Sequence, residues 1–138
     1  MACVTAKMFK AFLDSQEVKN SFVDDEQNVI RVGWNLHNTS ITMLFSFDED
    51  DHDVHIQGFD FLKVAEENYA KSLKVVNDLN QKYRWVKFTL DTERGMVAVE
   101  DDAIIDVDTC AAEVNELMLR MAHIVDESYP VFMKAMWS

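Results

Sequence analysis

Glycine and proline are scarce in this sequence, with three Gly and one Pro in 138 residues. So little punctuation excludes a collagen-like or loop-rich chain and favours long regular elements joined by short turns. Cysteine is scarce too, with two residues. Cys3 and Cys110 lie far apart and form no Cys-x-x-Cys pair, so a zinc ribbon or dithiol centre has no basis, and both read as reduced thiols. No apolar run approaches the roughly 20 residues that cross a bilayer, and the stretch from Met1 to Lys10 lacks the apolar centre of a secretion signal. A cytoplasmic protein is expected. Positive charge is also short: 13 Lys and Arg stand against 25 Asp and Glu, a net charge of −12. Such a field repels phosphate backbones and anionic headgroups, so neither nucleic acid nor membrane is an expected partner.

What is present is an ordinary globular balance, 49% apolar and 28% charged, in a chain long enough to bury one core. Met8, Phe9, Phe12 and Leu13 recur at helical spacing and predict a first helix over 2–13. The period then changes. A short strand is expected over 18–24, after which Ile30, Val32, Trp34 and Leu36 alternate with polar or small neighbours, as do Ile41, Met43, Phe45 and Phe47 beyond a turn at His37, Asn38 and Thr39. Val54 and Ile56 continue the alternation after a turn over 48–53, completing a four-strand meander.

Helical spacing returns over 64–83 through Ala65, Tyr69, Leu73, Val76, Leu79 and Tyr83. Val86, Phe88 and Leu90 then alternate, and Arg94-Gly95 turns the chain into a second strand over 96–103. Asp108 and Thr109 can cap a last helix whose stripe is Cys110, Val114, Leu117, Met118, Met121 and Val125. Pro130 is expected to kink or interrupt it near Tyr129. The class is α+β: an antiparallel sheet, built from a strand meander plus a hairpin, with three helices in the order α-ββββ-α-ββ-α.

No catalytic, cofactor-binding or metal residue is nominated. The densest polar run is Asp48, Glu49, Asp50, Asp51, His52 and Asp53, followed by His55. As a calcium loop it fails, because its sixth position would be Asp53 rather than Gly and its twelfth Phe59 rather than Glu. It reads as a solvated turn, with a metal-dependent enzyme using Asp48 to His55 as the rival. His37 belongs to a turn, and His123 is expected to pack beside the last helix's apolar face. Ser46, Ser72 and Ser128 lack a nucleophile elbow, and Gly33, Gly58 and Gly95 are too dispersed for a phosphate loop.

The surplus lies in large apolar side chains: eight Met, nine Phe and three Trp. Met118 and Met121 suit a helix-to-sheet contact. Beyond Pro130, Phe132, Met133, Met136 and Trp137 exceed what one packed face needs, and flexible thioethers adapt to varied partners. Those four are the candidate protein-binding residues.

Four segments carry a family resemblance: Val76 to Asn80 (Val-Asn-Asp-Leu-Asn), Arg84 to Asp91, Gly95 to Val99, and Asp126 to Phe132 at the end of the last helix. Together with the order of elements, they resemble the YbjN-type family of small bacterial proteins across almost the whole chain, 1–138 as a single YbjN-like domain. That resemblance implies a sensory-transduction regulator without a defined chemistry and a fold similar to type III secretion chaperones. It supplies no catalytic residue. It implies a non-enzymatic regulatory protein that engages a protein or peptide, with a chaperone-like client binder as the alternative and a homodimer as a further expectation.

Overall fold

The computed structural model describes residues 3–138. In chain order it runs α1 (Val4–Ser15), β1 (Asn20–Phe22), β2 (Val29–Asn35), β3 (Ser40–Phe47), β4 (Asp53–Phe59), a 3-10 turn (Glu66–Asn68), α2 (Tyr69–Lys82), β5 (Lys87–Asp91), β6 (Met96–Ile104) and α3 (Cys110–Met136). All six strands form one antiparallel sheet in the order β1-β2-β3-β4-β6-β5. The expected α+β class and element order are therefore observed. Among the described residues no helix is long and apolar enough to cross a membrane.

The alternation seen in the sequence fixes which face of the sheet is covered. Ile30 and Val32 on β2, Ile41, Met43, Phe45 and Phe47 on β3, Val54 and Ile56 on β4, and Val97 and Val99 on β6 are all buried. The helices meet this face. Phe9 of α1 lies 4.9 Å from Phe45 between ring centroids, and Phe132 of α3 lies 5.8 Å from Phe88 of β5. Gly58 on β4 lies under α3: a Cβ there would lie 3.1 Å from Met121 Sδ, and closer still to Val99 and Ile41.

Three local expectations change. The first helix begins at Val4 and ends at Ser15, and position 2 of its expected range lies outside the described residues. Its N-terminus is capped from 46 residues away: Asp51 accepts hydrogen bonds from the Thr5 amide at 2.8 Å and the Thr5 hydroxyl at 2.7 Å. The middle helix starts at Tyr69 rather than 64, because 62–64 stays extended against the sheet. Val97 N–H donates to Leu62 O and Val64 N–H to Gly95 O, which occupies the backbone groups a helix would need. Leu73, expected inside, is 47% exposed, while Ser72 and Val75 turn inward beside Val76 and Leu79. Thr109 stands at the N-cap of α3, but its hydroxyl donates to Glu113 instead of taking a backbone bond, so the expected side-chain cap is not made.

Pro130 does not interrupt α3, which is assigned as one helix from Cys110 to Met136. A proline at 130 removes the N–H that would bond the carbonyl four residues earlier, at Asp126. That carbonyl is met by the Asn38 side-chain amide at 3.0 Å, and the Asn38 backbone N–H donates to the Asp126 carboxylate at 2.7 Å. The turn between β2 and β3 thus satisfies the acceptor that proline frees. Removing that side chain by Asn38→Ala should cost about 1 kcal/mol of unfolding free energy. In a Pro130→Ala background, where residue 130 has an N–H of its own, the same change should cost measurably less. Urea unfolding of the four proteins in this double-mutant cycle checks the coupling, and strict additivity would refute it.

Candidate functional site

α3 buries a continuous stripe as far as Phe132 and then runs on for another turn without burying a residue. Its half-buried Tyr129, Met133 and Met136 and its 81% exposed Trp137 form one wall of a groove of about 900 Å³. The opposite wall is the chain from Asp60 to Asn68, and Met96 at the start of β6 closes the floor. The volume falls within the usual range for ligand pockets, and one side opens to solvent.

Each wall is held by contacts that the local sequence explains. Asp60 takes a positive φ of 60°, which turns the chain out of β4. Leu62 and Val64 are then pinned to β6 by the two backbone bonds already described. Gly95 lies opposite them with φ 65°, where a Cβ would sit 2.7 Å from Val64 O, so only glycine fits this turn. The Tyr69 hydroxyl donates to Thr92 O, and the Lys71 ammonium to Ser138 O, tying the start of α2 to the hairpin and to the chain's end. Around the groove the ionic side chains are Asp60, Lys63 and Glu67.

Of the four residues nominated from the sequence, Met133, Met136 and Trp137 come together in this groove. Phe132 does not. It is fully buried against Phe88, and burying such a side chain stabilises the fold by about 1.5–3 kcal/mol, so it belongs to the core. Sequence reasoning missed the other wall. Phe61, Leu62 and Met96 are brought beside α3 only by the bend at Asp60 and the sheet-like pairing of 62–64, and neither leaves a periodic signal.

The acidic segment is dispersed by its own bonding. Asp48 accepts the backbone N–H groups of His52 and Asp53 within its turn, and Asp51 caps α1, whose Thr5 amide chiefly holds the Asp51 carboxyl below its usual pKa. His55 lies on the opposite face of the sheet from the helices, 2.6 Å from Asp102 and 3.7 Å from Glu100 on β6. Among the described residues, no group of three or more His, Cys, Asp or Glu is arranged to hold a metal ion. His123, expected to pack, is instead exposed and lies 3.0 Å from Glu127 one helical turn on.

One carboxyl stands apart. Asp101 shares the covered face of β6 with Val97 and Val99, is 3% exposed, and has no hydrogen-bond partner on either oxygen among the described residues. Burial, reinforced by the adjacent Asp102 charge, pushes it up to about 6. The Asp102 amide favours the carboxylate without reaching hydrogen-bond geometry. Because the folded pKa is raised, the folded state holds this proton more tightly, and the stability it contributes is lost as pH rises from about 4 through about 6. A shift of this size corresponds to about 3 kcal/mol. Asp101→Asn should remove that part of the pH dependence and raise stability at pH 7, as measured by urea unfolding of both proteins from pH 4 to 8. Parallel pH profiles would refute it.

Comparison with known proteins adds a family and a fold. The family model YbjN, described as "Putative bacterial sensory transduction regulator", matches residues 5–133. Among solved structures, the chain is similar to the crystal structure of YbjN from E. coli, titled "a putative transcription regulator", with TM-score 0.62 and 12% identity over 90% of each chain. It is also similar to the HopA1-SchA chaperone-effector complex, with TM-score 0.53 and 17% identity over 90% of this chain and 94% of that one. At these identities the likeness is one of fold. No curated protein matches.

Proposed function

The chain belongs to the YbjN family, and from that premise we propose that it acts as one non-enzymatic regulatory domain whose groove beside the end of α3 holds a protein or peptide partner. The observation that carries this is the groove itself: a preformed apolar trough of about 900 Å³, with a tryptophan 81% exposed at its edge. Large apolar side chains left uncovered together, beside flexible methionines, are the usual physical mark of an interaction surface. The net charge of −12 supports a partner other than nucleic acid or anionic membrane. A metal-dependent enzyme built on Asp48 to His55 would need those side chains in one cleft, and they serve three separate places instead. A chaperone-like client binder would use the same groove and differs in having one dedicated partner; the fold likeness to a chaperone-effector complex favours keeping it as a variant.

The reading is tested by replacing Trp137 with a photo-crosslinking phenylalanine analogue in cells that express the chain, with the same replacement at Trp85 as control. Trp85 is also exposed, at 58%, but does not line the groove. A discrete adduct formed from position 137 and absent from 85 is the expected result. Adducts from both positions alike, or from neither, would count against the groove.

A further inference from the structure

Building on that reading, we infer that the groove's occupant is a cationic amphipathic segment of another protein, with large apolar side chains on one face and Lys or Arg beside them. The floor and the α3 wall are apolar, through Met96, Met133, Met136 and Trp137, so affinity must come from apolar side chains entering the trough. What surrounds the trough then selects among apolar occupants.

The charge around it is predominantly acidic. Asp60 and Glu67 stand at the rim against the single Lys63, and among the described residues neither acid has an ion-pair partner. α3 also ends here, and the free carbonyls of a helix C-terminus carry partial negative charge. Lys71 neutralises part of that by donating to Ser138 O. Behind the local rim lies the whole protein, with 25 acids against 13 Lys and Arg. A field of that sign steers cations inward and raises their association rate.

The same field argues against the other occupants. A second copy would bring its own −12, so the two like-charged molecules repel as they approach. A fatty acid or other amphiphilic anion is repelled in the same way. An uncharged apolar molecule would be indifferent to the rim.

Labelled synthetic peptides test this by fluorescence anisotropy. One carries a Leu/Phe face flanked by Lys, the second the same face flanked by Glu, and the third the Lys flanks with Ser in place of Leu and Phe. Each is titrated with the full chain, with Met136→Asp, and with the double variant Asp60→Lys/Glu67→Lys, after circular dichroism has shown that all three proteins fold alike. The Lys-flanked apolar peptide should bind at least about tenfold more tightly than the Glu-flanked one. Its affinity should fall between about 0.05 and about 0.5 M salt, as rim charges are screened. The double variant should shrink or reverse the preference, and the Ser peptide should bind no more tightly than background.

Met136→Asp should abolish binding of the apolar peptides. Because it adds a negative charge, a loss for the Lys-flanked peptide comes from the groove and not from the field. Equal affinity for both apolar peptides, abolished by Met136→Asp, would overturn the cationic preference and leave the groove reading standing. Binding that survives Met136→Asp would overturn both. So would the absence of any peptide binding, and a dimer by light scattering that Met136→Asp converts to monomer would then identify a second copy as the occupant.

Discussion

The packing of α3 on the sheet centres on Gly58 of β4, where the neighbouring strands and the helix leave little room for a side chain. Any Cβ there would meet Val99 and Ile41 of the neighbouring strands within 2.7 Å and Met121 of the helix at 3.1 Å. The glycine lets the helix settle onto the sheet, with Met118, Met121 and Val125 buried across it. Once that contact is set, the rest of α3 has little freedom. Its 27 residues span about 40 Å at 1.5 Å per residue, longer than the face it has to cover. Phe132 reaches the last available core position, against Phe88 on the edge strand, and the following turn runs past the core into the space above the 60–68 segment.

Long-range bonds to backbone groups are the second recurring device. Asp51, from the turn between β3 and β4, caps α1, and Asn38, from the turn between β2 and β3, supplies the donor that Pro130 withholds from Asp126. In each case a loop residue completes a helix to which it is not locally connected, so the tip of a hairpin and a helix are fastened as one unit. Buried or helix-terminal backbone groups have to find partners, and here the strand turns provide them. The same logic explains why the most acidic stretch of the sequence assembles no cation site: Asp48 and Asp51 already accept backbone donors that the fold requires.

How much of this was legible depended on whether the cause was local. Strand alternation through Ile41, Met43, Phe45 and Phe47 is a local consequence of one-sided burial, and it located the sheet and its covered face. The apolar surplus after Pro130 was equally visible, and it led to Met133, Met136 and Trp137. It could not separate them from Phe132, because a helix period tells which residues share a side, not where the opposing core ends. The expected helix began at 64, but 62–64 is extended, since β6 lies beside it, and β6 inserts between β4 and β5 through pairings that composition does not encode. His123 was misplaced for a related reason. It neighbours the apolar stripe in sequence, but a helix turns it outward to Glu127.

The groove is also where folding ceases to explain the residues present. Up to Phe132 every large apolar side chain on the inner stripe of α3 returns stability through burial, and truncating one would open a cavity. Met133 and Met136 are only half covered, and Trp137 keeps 81% of its surface in water. Exposure of that area works against solubility and adds nothing to the core, whereas Lys, Glu or Gln would extend the last helical turn equally well. Even a fold that needed α3 to continue to Met136, so that Lys71 could fasten the chain's end, would not need those side chains to be apolar. On the proposed reading, their apolar character serves the partner that the groove would hold, and the acids at its rim bear on what that partner can be.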